Sequence, residues 1–230
     1  MKSEFDETAY QLVWDIDHFK ELDLDWNEDI LFQKYDGYVS WKYRKTETFT
    51  HPTPLIYEGT LDIVRHIDYS YPDNMWTIMS ERMLKTLLSV GDFPHRAIPV
   101  AITDTTVHPR DWYDEAGNLR SDKCLSNYAA VQLTTYLDIF DYEKSKYNVD
   151  EDNRQEVTSV DEYVFKVPPE GLPPLFKIPE RLTSIFISSE ARRTLKEAKI
   201  TGTRYISLKG YEGEEEIGRT HHFFLLESAI

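Results

Sequence analysis

The sequence is poor in cysteine, glycine and positive charge, and each shortage excludes a class of protein. Its 230 residues include one cysteine, Cys124, which excludes internal disulfides, disulfide-rich secreted domains and metal sites built from cysteine clusters. The nine glycines are scattered, and none belongs to a G-x-G-x-x-G or G-x-x-x-x-G-K phosphate-binding loop. The H-E-x-x-H and G-x-S-x-G motifs of zinc proteases and serine hydrolases are also missing from the sequence.

The shortage of basic residues indicates which partners the protein avoids. There are 26 Lys and Arg against 41 Asp and Glu, a formal net charge of −15. Such a charge argues against binding nucleic acid, which requires a basic face, and against docking on an anionic membrane. Hydrophobic residues make up 40% of the chain, with 5 Trp, 15 Tyr and 11 Phe, so the acidity does not indicate disorder. We expect an acidic, soluble and folded protein.

No segment of the sequence resembles a targeting or membrane-spanning element. Residues 1–19 carry acids where a signal peptide needs bases, and they lack an apolar core. The longest uncharged run, Cys124–Leu137, is too short and too polar to span a bilayer. These features predict a cytoplasmic location.

The acidic residues are concentrated in two segments. Residues 1–30 hold ten acids and two bases, and residues 141–163 hold eight acids and three bases, so the rest of the chain is nearly neutral. Solvated faces or loops would explain such runs. The alternative is that they attract a basic partner, because charge steers encounter and raises the association rate. Our candidates for that contact are Asp15 and Asp17 in the first segment, and Asp150, Glu151 and Asp152 in the second.

Hydrophobic periodicity predicts strands in the N-terminal third of the chain. Val39–Lys45 alternates apolar and polar residues, as a half-buried strand does. The other predicted elements are strands at Tyr10–Trp14, Ile30–Phe32 and Thr60–His66, a turn at Asp36–Gly37 and a proline loop at His51–Pro54.

Two later segments each predict a strand, a helix and a return strand. The first comprises strand Trp76–Met79, N-cap Ser80, an apolar stripe of Met83, Leu84, Leu87 and Leu88, helix end Gly91, and strand Arg96–Ile102 with Pro99 at an edge or bulge. The second comprises strand Ser184–Ile187, N-cap Ser188 or Ser189, helix face Ala191, Leu195 and Ala198, helix end Gly202, and strand Arg204–Leu208. At an offset of 108, Ser80 aligns with Ser188 and Thr86-Leu87 with Thr194-Leu195. An internal duplication and chance both remain open.

The segment between the two units completes the predicted fold. We expect one long strand at Tyr128–Phe140, then Asp141–Ser145, then a mobile loop in the polar stretch that follows, up to Thr158. Short strands are expected at Val164–Val167 and Leu175–Ile178. The result is a single α+β domain with a mostly antiparallel or mixed sheet and two short strand–helix–strand units. A bilobed division stays open, with a strand-rich part at 1–70 and a second part at 70–210.

The order of several segments resembles a known bacterial family. They are Thr77–Leu88, Ile98–Val100, Tyr128–Ser145, Pro174–Ile178, Ile185–Ser188 and Leu195–Gly202. Together they resemble a family first described as a domain of unknown function and later grouped with immunity proteins of polymorphic toxin systems. The resemblance covers roughly residues 70–210 and implies a non-enzymatic cytoplasmic protein that binds and neutralises a cognate toxin. It implies no catalytic residues and no cofactor.

Two clusters of polar residues contain side chains that can bind metal ions. Asp15, Asp17 and His18 could share a metal on a loop, although a plain acidic surface is the simpler interpretation. The adjacent His221 and His222 would point to opposite faces of a strand, which favours structural or surface roles. We therefore expect no metal and no cofactor.

Three further features each allow a structural and a functional interpretation. Asp138, Asp141 and Ser145 could form a carboxylate site, or Asp141 could simply cap a turn. Cys124 could be a nucleophile, or a small buried apolar residue. Trp112 and Tyr113 could form an exposed contact loop or an anchored one.

Three functions follow from these observations. The leading hypothesis is an immunity protein that binds a cognate toxin, which would present a basic surface, as a nucleic-acid-directed toxin does. The alternative is a non-enzymatic accessory or binding module of a secretion- or phage-related gene cluster. The third is a hydrolase that uses Asp138, Asp141 or Cys124.

Overall fold

The computed structural model describes residues 8–15, 32–33, 46, 51, 53–70, 77–150, 152 and 156–209. The strands are β1 (Ala9–Trp14), β2 (Phe32–Gln33), β3 (Leu55–Gly59), β4 (Tyr69–Ser70), β5 (Ile78–Ser80), β6 (His95–Asp104), β7 (Cys124–Leu133), β8 (Lys146–Val149), β9 (Val157–Glu162), β10 (Leu175–Phe176), β11 (Ile185–Ser188) and β12 (Thr203–Ser207). The helices are α1 (Leu61–Val64), α2 (Glu81–Val90) and α3 (Ser189–Glu197), with a 3-10 turn at Pro109–Trp112. None of these helices is long and apolar enough to cross a membrane.

The strands form three sheets. A six-stranded sheet has the order β2-β3-β6-β7-β5-β4, a four-stranded sheet has the order β10-β11-β1-β12, and β8 and β9 form a hairpin. All pairings are antiparallel except that of β3 with β6, which is parallel. The prediction of an α+β fold with antiparallel and mixed sheets is confirmed.

The two predicted strand–helix–strand units share one topology. In the first, β5 and β6 are both antiparallel to β7, which lies between them. In the second, β11 and β12 are both antiparallel to β1, which lies between them. The offset of 108 therefore has a counterpart in the fold, with one difference. The central strand of the first unit, β7, follows that unit in the sequence. The central strand of the second unit, β1, precedes its unit in the sequence.

Both helices begin as their sequences predict. Ser80 and Ser188 have nearly the same extended backbone angles, with φ −64° and ψ 152° in one and φ −66° and ψ 154° in the other. Each hydroxyl accepts a hydrogen bond from the third residue of its helix, Met83 N at 3.1 Å and Ala191 N at 3.3 Å. These side chains satisfy N–H groups that the first helical turn leaves unpaired.

The largest core lies where α2 and α3 pack against each other and against both larger sheets. Met83 and Leu87 of α2 and Ala191 and Leu195 of α3 are fully buried there. Strand alternation separates this core from two others. Along β11, Ile187 enters the shared core, whereas Phe186 points to the opposite face of the four-stranded sheet and packs with Phe140 and Phe165.

Several predicted elements differ from the structure. The segment Thr60–His66 is not a strand, because it contains helix α1, in which Leu61 and Val64 lie one turn apart and are buried. The long strand predicted at Tyr128–Phe140 ends at Leu133, opposite His95, where β6 begins. None of the described strands pairs with the chain directly after Leu133. The chain instead crosses to the core that contains Phe140, Phe165 and Phe186, called here the Phe140 core.

Other corrections concern the later elements. The stretch after Ser145 that was predicted to be a loop, up to Thr158, instead contains β8 and the start of β9, which pair as a hairpin. Val164–Val167 forms only an isolated bridge, between Phe165 and Phe140. Helix α3 is ended by Lys199, not Gly202. Lys199 has φ 53°, and the N–H groups of Lys199 and Ile200 close a Schellman motif on Lys196 and Leu195.

Two predictions about the N-terminal half have partial outcomes. Pro99 pairs only with β7, because β3 joins β6 from Val100 onward, and a register shift lies between Val100 and Ile102. The expected edge or bulge position is therefore confirmed. The strand Val39–Lys45 and the turn Asp36–Gly37 lie outside the described residues.

An ion pair between the buried Asp68 and the partly exposed Arg82 joins the two units. Asp68, which is 5% exposed, lies just before β4, and its carboxylate accepts hydrogen bonds from Arg82 Nε at 3.0 Å and from a terminal guanidinium nitrogen of Arg82. It also accepts from Ser80 Oγ at 2.6 Å and from Thr201 N at 3.0 Å. Arg82 in turn donates to the carbonyl of Lys199 at 3.2 Å, at the end of α3. One carboxylate thus organises the start of α2 and the end of α3.

Beside this network, the backbone at Gly202 lies close to the backbone at Tyr69. Gly202 has φ +76°, and a Cβ atom at this position would lie 2.5 Å from the carbonyl oxygen of Tyr69. The end of the second unit therefore needs glycine for both conformation and space.

We expect Gly202→Ala to destabilise the protein more than Gly117→Ala. Gly117 has a similar φ of +82° but nothing within 4 Å of its Cβ position, so it isolates the cost of conformation, about 1 kcal/mol. The contact with Tyr69 should add about 1–3 kcal/mol at Gly202. Urea unfolding measures both variants, and equal losses would contradict the close approach.

We also expect Asp68→Asn to reduce stability by about 2 kcal/mol at pH 7. Burial would raise the pKa of Asp68, but hydrogen bonds from Arg82, Ser80 and Thr201 outweigh burial and hold the pKa below its ordinary value. A lowered carboxyl pKa contributes stability above the ordinary value of about 4 and loses it as the pH falls through the folded value.

The free energies of unfolding of wild type and Asp68→Asn should therefore differ more at pH 7 than at pH 3. Asp62→Asn is the control, because the ion pair between Asp62 and Arg65 is exposed, and it should change stability by less than about 0.5 kcal/mol. A gap between wild type and Asp68→Asn that stays constant with pH would refute this role of Asp68.

Candidate interaction surface

The second acidic segment is built into the β8–β9 hairpin. At its base, Ser145 Oγ accepts a hydrogen bond from Val164 N at 2.9 Å, and Lys146 forms an ion pair with Glu162 at 2.6 Å. Further along, Asn148 Nδ2 donates to Ser159 Oγ at 2.8 Å. Register shifts flank Tyr147 and Asn148, and such bulges increase the local twist of a hairpin. The acidic residues are therefore carried by an ordered, twisted element.

The hairpin is attached to the protein through one apolar face. Tyr147 and Val160 pack against the Phe140 core. On the outer strand, Arg181 donates from Nη1 to the carbonyl of Thr158 at 2.9 Å, which ties β9 to the segment before β11. The hairpin is thus fixed on one side and presents the other to solvent.

The tip of the hairpin holds the acidic candidates of this segment. Asp150 N donates to the carbonyl of Glu156 at 2.9 Å and closes the tip. The carboxylate of Asp150 accepts a hydrogen bond from Asp152 N at 2.8 Å, and Asp152 is exposed. Glu151 lies outside the described residues. The structure therefore brings Asp150 and Asp152 together at one end of the hairpin.

The acidic candidates of the N-terminal segment belong to another element. Asp15 directly follows β1 of the four-stranded sheet, and its N–H donates to the carbonyl of Gly202 at 3.0 Å. Asp17 and His18 lie outside the described residues, as do His221 and His222. Within the residues that the structure describes, no group of three or more His, Cys, Asp or Glu could hold a metal ion.

The aromatic candidates Trp112 and Tyr113 differ in exposure. Trp112 is 2% exposed, and its indole N–H donates to the carbonyl of Asp104 at 2.8 Å. This burial favours an anchored loop, the structural interpretation of the pair. Tyr113 is 38% exposed and is the only member of the pair with an accessible surface.

The carboxylate cluster around Asp141 is a structural turn. Asp141 is buried, and it accepts from the N–H of Glu143 at 3.2 Å and pairs with Lys144 at 3.4 Å. Burial would raise the pKa of Asp141, but these two groups outweigh it and lower the pKa. Asp138 is exposed instead. An ionised, capped Asp141 is not suited to act as a general acid near neutral pH.

Cys124 borders a shallow depression of about 370 Å³ between β6 and the loop at Pro54. Burial and the nearby Asp122 raise the pKa of its thiol, so the reactive thiolate is scarce at neutral pH. No histidine is among the described residues that line the depression. The lining residues therefore supply no imidazole base of the kind that activates a cysteine nucleophile.

An exposed tyrosine beside the hairpin was not identified from the sequence. Tyr142 is 47% exposed, although its hydroxyl donates to Glu180 Oε1 at 2.5 Å. That hydrogen bond is the first cause of a raised pKa, about 12, at Tyr142, with burial and the charges of Glu180 and Asp138 contributing. The two residues are 38 positions apart, and no local pattern could have paired them.

Comparison with known proteins assigns no family to the chain. No family model matches the chain, and no curated protein matches it significantly.

Proposed function

We propose that this protein binds and neutralises a cognate bacterial toxin in the cytoplasm through a protein–protein contact. The observation that supports the proposal best is the acidic β8–β9 hairpin, which is fixed to the core on one side and exposed on the other. The resemblance of residues 70–210 to immunity proteins supplies the class of function.

The negative charge of the hairpin favours a partner with a basic surface. Residues 141–163 hold eight acids and three bases, and two of those bases, Lys144 and Lys146, are engaged with Asp141 and Glu162. The remaining acidic field favours a basic protein surface, such as that of a toxin that acts on nucleic acid. The expected role of Asp150, Glu151 and Asp152 is to accelerate the encounter.

Co-expression tests the proposed function directly. The toxin encoded beside this gene should stop growth when it is expressed alone, and this protein should restore growth when both are expressed. Full killing in the presence of soluble, folded protein would refute the proposal. A complex that forms without restoring growth would favour an accessory binding module instead.

Charge reversal tests the role of the hairpin. Asp150→Lys, Glu151→Lys and Asp152→Lys combined should lower the association rate at low salt by about tenfold or more, with little change in the dissociation rate. The difference should shrink at high salt, because ions screen the attraction over about 10 Å at 0.1 M. Stopped-flow mixing at several salt concentrations measures both effects.

The control reverses three exposed acids outside the hairpin: Glu115, Glu190 and Glu197. It changes the net charge equally, so a specific role of the hairpin predicts a clearly smaller effect on the association rate. An association rate that ignores salt and the hairpin substitutions would rule out electrostatic steering.

A further inference from the structure

Tyr142 is an exposed aromatic ring held in one orientation. Its ring packs edge-on against Phe140, with centroids 4.9 Å apart and an interplanar angle of 85°. It packs in the same manner against Tyr147, at 5.7 Å and 80°. With the hydrogen bond to Glu180, three contacts fix a side chain of which 47% is exposed. A fixed, accessible tyrosine loses little conformational entropy when a partner binds, as interface hot spots require.

The carboxylate that positions Tyr142 has no cationic partner among the described residues. Within the described part of the chain, Glu180 forms no ion pair, and its Oε2 atom is shielded from solvent without a hydrogen-bond partner. The neighbouring Arg181 directs Nη1 to the carbonyl of Thr158. The charge of Glu180 therefore adds to the negative potential around the exposed ring, and this potential favours the approach of an external cation.

Residues close along the chain to Tyr142 or to its contacts Tyr147 and Glu180 add negative charge and exposed apolar surface. Asp138 acts electrostatically on Tyr142, and Glu143 is exposed directly after it in the sequence. Val149 of β8 and Leu182, which follows the Glu180–Arg181 pair, are 37% and 48% exposed. Protein interfaces combine aromatic and apolar side chains with charged ones, and the exposed residues near Tyr142 in the chain include both kinds.

We infer that Tyr142 anchors the partner by receiving a cationic side chain, preferably arginine, over its ring, with nearby carboxylates pairing with the same cation. The inference rests on the proposed function and assigns separate tasks to two parts of one surface. The hairpin tip governs encounter, whereas Tyr142 governs how long the complex lasts. Arginine suits this site because its planar guanidinium stacks on aromatic rings and pairs with carboxylates together.

Toxin-binding kinetics of two Tyr142 variants test the inference. Tyr142→Ala should weaken affinity by about 30-fold or more, mainly through faster dissociation. Tyr142→Phe keeps the ring but loses the bond to Glu180, and should weaken affinity by about three- to tenfold. Leu88→Ala, a control at an apolar residue of α2 that is 40% exposed, should stay within about twofold of wild type. Unchanged dissociation in folded Tyr142→Ala would overturn the inference.

A second experiment does not depend on the toxin. Hexa-arginine should shift the ring signals of Tyr142 in the NMR spectrum of tyrosine-labelled protein at low salt, and hexaglutamate should not. Tyr142→Phe identifies those signals by removing them. No shift with millimolar hexa-arginine overturns the inference, whereas a shift without toxin binding upholds the cation site and refutes the proposed function.

Discussion

The fold depends on a single carboxylate. Asp68 precedes β4, yet its partners come from the first turn of α2 and from the segment after α3, so both strand–helix–strand units meet at its two oxygen atoms. Burial of the charge is offset because Arg82, Ser80 and Thr201 all donate to it. Arg82 extends the same network to the carbonyl groups that end α3. This network thus links the start of α2 to the end of α3, next to the apolar core that the two helices share.

That central region leaves the periphery free to carry charge. The Phe140 core, on the far face of the four-stranded sheet, supports a hairpin that pairs with no other strand in the described part of the chain. Acids on such an appendage repel one another less than acids in a compact layer would, since they project into water. Beside the hairpin, Tyr142 and Glu180 are fixed by contacts with the core. The surface thus combines a projecting acidic hairpin with a fixed aromatic side chain, to which we assign different steps of the proposed binding.

The sequence predicted what local chemistry determines and missed what tertiary contacts determine. Ser80 and Ser188 were identified as caps because a cap is decided within four residues. The segment Thr60–His66 was misassigned as a strand, because its β-branched residues favour a strand while burial of Leu61 and Val64 selects a helical turn. The pairing of Tyr142 with Glu180 joins distant segments, and nothing in either segment alone indicates it. The acidic candidates were recognisable by composition, but their division between a sheet and a hairpin was not.

The position of β1 has a consequence for synthesis. This strand is among the first residues of the chain, yet it lies between β11 and β12, which are separated from it by more than 170 residues. During translation, β1 is synthesised long before β11 and β12, so its apolar residues have no strand of this sheet to pair with during that interval. The first strand–helix–strand unit has all of its strands within residues 69–133 and can assemble during that interval. The four-stranded sheet, in contrast, cannot be complete until β11 and β12 have been synthesised.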